Sequence, residues 1–148
     1  MSDFHISIIP VNPYLRLSND VSDEVINYLK SCVIADSIDF YIYDTPSFID
    51  SGSNFKKIRC PICNDDIPND WWEKAMNNSY ETKFAELDIE LPCCCKPSSL
   101  NNLLYDFSCG FACIKIDIMN PVGDLNDLNI KYIEEILNFP IRIIRTHI

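Results

Sequence analysis

The placement of the thiols restricts this chain more than any other feature. Eight cysteines stand among 148 residues, and five of them fall in two tight groups, Cys60-Pro61-Ile62-Cys63 and Cys93-Cys94-Cys95. Two residues between cysteines let both sulfurs point at one ion while the intervening amides turn toward them. Four thiolates in a tetrahedron are the usual structural zinc site. The second group is irregular, because adjacent side chains diverge on an extended backbone and reach one metal only from a tight turn. The expected ligands are Cys60, Cys63, Cys93 and Cys94, with Cys95 as a substitute for either of the last two. Cys109 is a further alternate, since the chain returns through Tyr105 to Gly110. A catalytic zinc wants an open position and often histidine or carboxylate ligands, but the only histidines, His5 and His147, lie at the chain's far ends. The zinc is therefore expected to be structural. Redox exchange at Cys60 and Cys63 is the weaker alternative, because the motif does not open a helix after an apolar strand. Cys32 and Cys113 read as buried small hydrophobes.

Composition narrows the setting. With 47% hydrophobic and 23% charged residues the chain is neither disordered nor a coiled coil. At this length it can bury about 68–70% of its unfolded surface, so residues 1–148 are expected to form one domain with its own core. Twelve basic against 22 acidic residues give a net charge of −10, which repels nucleic-acid phosphates and anionic lipid. No run approaches the roughly 18 apolar residues of a membrane span, and from the opening Met1-Ser2-Asp3 no leader is expected. The cytoplasm is the expected compartment, where thiols stay reduced; a disulfide-stapled secreted domain is the alternative. Isoleucine occurs 22 times, asparagine 14 and alanine four, a bias that AT-rich coding explains and that favours strands.

Periodicity supplies the element order. Phe4, Ile6 and Ile8 alternate with His5 and Ser7 in a half-buried strand stopped by Pro10 and Pro13. Asp20 is placed to cap a helix to about Cys32, with Val21, Val25, Leu29 and Cys32 as its apolar stripe. Ile38 to Tyr43 reads as a second strand ended by Asp44-Thr45-Pro46, followed by a loop from Ser47 to Phe55 and a short strand over 55–59. Asp66 or Asn69 begins a helix to about Tyr80 with Trp72, Met76 and Tyr80 on one face. Glu86 to Leu91 alternates, and a helical turn is expected within Ser98–Leu104. Phe111 to Met119 is a long strand with Ala112, Ile114, Ile116 and Ile118 as its core face. Asp124 caps the next helix with Asp127 at its third position and Leu125, Leu128, Tyr132 and Ile136 along it, and Ile141 to Ile148 closes the chain as a strand. Two strand–helix–strand units predict an α+β, ferredoxin-like antiparallel sheet with two helices, carrying residues 47–107 as an inserted zinc-ribbon-like module. A mixed sheet of five or six strands is the alternative.

Three other groups carry possible chemistry. Adjacent first and last strands bring His5 near His147, and one reading of the alternation sets Arg145, His147, His5 and Ser7 on one side as a small anion or acid–base site. Unreactive surface histidines are the plainer reading. Trp71 and Trp72 are about 100° apart on a helix and cannot share one core. One is expected at an interaction surface, against the plainer reading that both pack between insert and main domain. Lys56, Lys57 and Arg59 form a basic flank, too little beside a charge of −10 to predict nucleic-acid binding.

The run Phe48 to Phe55, Cys60-Pro61-Ile62-Cys63, Trp71-Trp72, Pro92-Cys93-Cys94, Ser99-Leu100-Asn101 and the ending Ile144 to Ile148 together resemble a family of small uncharacterised bacterial proteins with a zinc-ribbon-like CPxC…CC motif. The resemblance spans nearly the whole chain. It implies that Cys60, Cys63, Cys93 and Cys94 are the family's cysteines, that Cys95 stands where a glycine is expected, and that His147 matches a C-terminal histidine. It brings no established activity. The function expected from the sequence is a small acidic zinc-binding protein, monomeric or homodimeric, acting without catalysis as a protein-interaction, inhibitor or accessory factor. A small enzyme using His5, His147 and Arg145, and a nucleic-acid-associated adaptor, are the alternatives.

Overall fold

A computed structural model describes residues 3–52 and 57–147. Lys56 and the beginning of the strand expected at Phe55 lie outside the described residues. The elements in chain order are β1 (Phe4–Pro10), α1 (Asn19–Cys32), β2 (Ser37–Ile49), β3 (Ile58–Arg59), α2 (Asn69–Tyr80), β4 (Asp88–Glu90), β5 (Pro97–Ser99), a 3-10 turn (Leu100–Asn102), β6 (Leu104–Tyr105), β7 (Gly110–Met119), α3 (Asp127–Leu137) and β8 (Ile141–His147). The architecture is α+β. Strands β2, β7, β1 and β8 form one sheet in that order, with every neighbouring pair antiparallel. Two smaller ladders, β3 with β6 and β4 with β5, belong to the segment between β2 and β7. No helix among the described residues is long and apolar enough to cross a membrane.

Helices α1 and α3 cover one face of the main sheet. Val25 and Leu29 of α1 and Ile133 and Leu137 of α3 bury against Ile6, Ile8, Ile116 and Ile118. Both helices begin away from their expected caps, yet Val21, Val25 and Leu29 of α1 still pack toward the sheet as expected. Ser18, not Asp20, caps α1 by accepting from the Val21 amide. Asn126 caps α3 in a reciprocal box with Asn129, so Asp127 is the first helical residue and Asp124 lies outside. Leu128 and Tyr132, expected on the buried stripe, are exposed. Cys32, expected in the core, is also exposed, at the last position of α1.

The Asp44-Thr45-Pro46 turn signal does not end β2. The register breaks between Ile42, opposite Ile114, and Ser47, opposite Ala112, and pairing then resumes through Phe48↔Phe111 and Ile49↔Gly110. Residues 43–46 bulge out, held by the Arg16 guanidinium on the carbonyls of Tyr43 and Asp44. Residues 47–49 thus belong to the main sheet.

A second core fills the segment beyond it. Ile58, Cys60, Ile67, Leu87, Leu91, Leu100 and Leu103 pack around Phe111, a residue of β7. Phe48 and Phe84 close on that ring at centroid distances of 5.0 and 5.2 Å. Asn101 joins the two parts. Its amide nitrogen donates to the Val11 carbonyl at 2.8 Å, and its side-chain oxygen accepts from the Phe111 amide at 2.9 Å and from Arg142 at 3.3 Å. Gly110 is needed beside it, since a Cβ there would stand 2.6 Å from Arg142 Nη1 and 2.9 Å from Ile9 Cδ1.

Candidate metal centre

Two short hairpins present the cysteines, and their turns have the same backbone construction. In the first, the Cys60 amide donates to the Asp65 carbonyl and the Asn64 amide to the Cys60 carbonyl, with Asn64 left-handed at φ 63°. In the second, the Leu91 amide donates to the Lys96 carbonyl and the Cys95 amide to the Leu91 carbonyl, with Cys95 left-handed at φ 57°. Position by position, Cys60-Pro61-Ile62-Cys63-Asn64-Asp65 corresponds to Leu91-Pro92-Cys93-Cys94-Cys95-Lys96. The first turn offers its thiols from positions one and four, the second from positions three and four. Leu91 fills position one and is buried, so the missing sulfur is supplied from Cys93 by the curl of the turn.

This geometry resolves the difficulty of adjacent ligands. The Sγ atoms of Cys60, Cys63, Cys93 and Cys94 all lie within 4.8 Å of one another. Cys60 and Cys94 are 3.9 Å apart and Cys63 and Cys93 are 3.3 Å apart. A tetrahedron of thiolates with metal–sulfur bonds of about 2.3 Å has edges of about 3.8 Å, so the four residues fit an ion. The amides of Ile62 and Cys63 both approach the Cys60 sulfur at 3.4 Å.

The thiols are already poised unequally. Burial opposes ionisation of Cys60, but the Cys63 and Ile62 amides and the neighbouring thiols outweigh it and hold Cys60 at about 6. Its bond to Cys63 and burial push Cys93 up to about 12. Cys63 is raised as well, because burial and Cys60 overcome the favourable Asp65 amide and Cys93 contact. One thiolate is tolerated without an ion and further ones repel it, so a cation must displace protons to complete the set.

The alternates stand elsewhere. Cys95 occupies the left-handed position of the second turn and is exposed, and it is not one of the four clustered sulfurs. Cys109 is buried under Arg142, which donates to its carbonyl at 2.9 Å, and burial pushes its thiol up to about 12.

Both tryptophans pack against the second core from the start of α2. Trp72 donates from Nε1 to the Tyr105 hydroxyl at 3.1 Å, and that hydroxyl donates to the Leu100 carbonyl at 2.7 Å. Trp71 is half-buried and lines a cleft between α2 and β4.

The register separates the other candidate residues. Phe4 pairs with His147 and Ile6 with Arg145. Directly opposed residues share a face, so Arg145 and His147 lie on the side of Phe4 and Ile6, whereas His5 and Ser7 lie on the other. His147 stacks on Phe4 at 4.6 Å, and Arg145 forks onto Asp124 with contacts of 2.9–3.1 Å. His5 Nδ1 instead meets buried Asp117 Oδ2 at 2.9 Å, and the Ser7 hydroxyl donates to the other carboxylate oxygen at 3.1 Å. Asp117 is the residue that sequence reasoning missed. Its diagonal relation to His5 across β1 and β7 needs the register, which alternation alone does not supply. In the basic flank, Arg59 is offset by Asp66 at 3.6 Å.

No family model matches the chain, and no similar curated protein or solved structure was found.

Proposed function

We propose that this chain is a small acidic zinc protein in which the ion is structural, and that it acts without catalysis as a protein-interaction, inhibitor or accessory factor. The observation that carries the reading is the four-sulfur cluster closing two hairpins. An all-thiolate set of four is the usual composition of a closed zinc site, with every position taken by protein. When bound, zinc supplies a cross-link and charge neutralisation. Cys60 and Cys63 hold it from one turn, Cys93 and Cys94 from the other, and the Ile62 and Cys63 amides stabilise the Cys60 thiolate. The strand order supports placing the main sheet in the ferredoxin-like plan, with the zinc-ribbon-like module inserted between its two halves. The retained motifs support a place in the family of small bacterial proteins named above, and reduced thiols suit a cytoplasmic setting.

The test is native mass spectrometry with metal analysis on protein purified under reducing conditions. One zinc per chain is expected, with loss of the ion in Cys60→Ser and Cys94→Ser. A metal-free chain, or unchanged metal in those variants, overturns the reading.

One observation favours a second, enzymatic reading. His5, oriented by Asp117, lines a cleft of about 370 Å³ on the face away from the helices, with Ser7, Tyr41 and Lys115. Arg145 and His147 have no part in it. A small-molecule turnover abolished by His5→Gln, with zinc content unchanged, would establish this reading; turnover insensitive to that change removes it.

A further inference from the structure

We infer that the groove between α2 and β4 is a docking site for an extended, lysine- or arginine-bearing segment of a partner protein, which adds as a strand to the free edge of β4. This rests on the protein-interaction reading above and names the chemistry of its partner. The groove is a cavity of about 480 Å³. One wall is the α2 stripe Trp71, Lys74, Ala75, Asn78 and Ser79, and the other is Glu86 with β4. One end is closed where the Ser79 hydroxyl donates to the Glu86 carbonyl.

The backbone of β4 is the first indication of a ligand. Its ladder with β5 pairs Ile89 with Ser98, and the flanking bonds run from the Leu91 amide to the Lys96 carbonyl and from the Leu100 amide to the Leu87 carbonyl. In an antiparallel ladder the hydrogen-bonded pairs alternate. Residues 87, 89 and 91 therefore turn their polar groups toward β5, and Asp88 and Glu90 turn theirs the other way. Pairing with an incoming strand is the way such an edge is commonly read.

Charge is the second indication. Glu86, Asp88 and Glu90 are exposed on one wall against the single cation Lys74, in a chain of net charge −10. Residues directly opposite each other in a ladder share a face, so side chains of the added strand that sit opposite Asp88 and Glu90 lie beside their carboxylates. The alternate side chain turns inward, toward Ile89 and Ala75. The preferred segment thus reads cation, small apolar, cation. The Trp71 indole adds a ring face for one of the cations. The helical stripe from 71 to 79 spans about 12 Å at 1.5 Å per residue, room for about four extended residues at 3.3 Å each.

The test uses the zinc-loaded, nitrogen-15-labelled full chain titrated with three capped peptides. These are Lys-Val-Lys-Val-Lys, the same sequence with alternate backbone amides N-methylated, and Glu-Val-Glu-Val-Glu. Saturable shifts of the Asp88 and Glu90 amides and the Trp71 indole are expected with the first peptide alone. The double variant Asp88→Asn, Glu90→Gln should weaken binding roughly tenfold, as loss of two partly screened ion pairs implies. Absence of saturable shifts at millimolar peptide, shifts centred elsewhere, or equal binding of the methylated or acidic peptide overturns the inference. Zinc is measured on the same samples. Lost docking with one ion retained defeats this inference alone, whereas a missing ion defeats the functional reading.

Discussion

Cys95→Gly should stabilise the protein without touching its metal, and it separates the two roles a third consecutive cysteine could have. Cys95 sits at φ 57° in the turn whose counterpart position holds Asn64 at φ 63°. A left-handed backbone costs an ordinary L-residue roughly 1–2 kcal/mol, while asparagine tolerates it and glycine adopts it freely. Replacing cysteine by glycine recovers that strain but adds unfolded-state freedom worth about 0.5–1 kcal/mol. The expected net gain is about 0.5–1 kcal/mol, or a rise in Tm of roughly 2–3 °C for a chain of this size. The side chain is exposed, so no core packing is lost with it. Thermal unfolding followed by circular dichroism in the zinc-loaded state, paired with metal analysis, reads both quantities. Cys95→Asn should keep about the same stability advantage in the folded turn, and Cys95→Ala should show none. A lowered Tm together with lost metal in Cys95→Gly would refute the assignment, because it would make Cys95 a ligand.

Three further perturbations test other parts of the structure. Asn101→Ala strands the buried Phe111 amide and the Val11 carbonyl. It should cost about 2–3 kcal/mol, read as a lower urea midpoint with an unchanged slope. Zinc binding should release at least two protons at pH 7.5, because Cys63 and Cys93 are raised and must ionise. Affinity then falls as pH drops, and calorimetry in buffers of different ionisation enthalpy measures the count. Arg145 holds the Asp124 carboxyl below its ordinary value, so the pair contributes above the unfolded carboxylate range and its contribution disappears as pH falls through the lowered value. Both partners are largely exposed. Asp124→Asn should therefore cost under about 1 kcal/mol at neutral pH and nothing in high salt or acid.

The parts of the fold that the sequence made legible are those where one face carries a regular apolar repeat. Ile6 and Ile8 identify β1, and Val25 and Leu29 identify α1, because each repeat has only one amphipathic solution. Boundaries failed where two residues had equal chemical title to the position. Ser18 and Asp20 can both accept from a first-turn amide, as can Asp124 and Asn126, and it is Ser18 and Asn126 that take the caps. Helix α3 starts after Leu125, and Ile133 and Leu137 rather than Leu128 and Tyr132 face the sheet. At β2, Asp44-Thr45-Pro46 has the composition of a turn, but it forms a bulge, and pairing resumes beyond it where Phe48 packs on Phe111. His5 and His147 were brought to adjacent strands correctly in outline and onto opposite faces in detail, since a one-residue change of register exchanges every side chain.

The cysteine site shows a different limit. That two adjacent thiols need a tight turn follows from side-chain divergence alone, and Cys93 and Cys94 do occupy one. That this turn repeats the first was concealed, because the ligand position changed while the scaffold did not. The shared trace is Pro61 and Pro92, each at the second position of its turn, and an alignment on the prolines rather than the cysteines would have exposed it. The change has an energetic consequence. Position one is buried in the core around Phe111 in both hairpins, but the second fills it with leucine, whose contact there does not depend on an ion. That core contains aliphatic side chains from both hairpins around Phe111 of β7, and a buried leucine contributes about 1.5–3 kcal/mol relative to an exposed one. Removing the ion should therefore loosen the two turns and leave the core beneath them assembled, unlike isolated zinc fingers that unfold outright without metal. Chelation should abolish protection of the Ile62 and Cys63 amides from hydrogen exchange while Phe111 keeps its own. Loss of Phe111 protection on chelation would mean that the leucine cannot sustain the module alone.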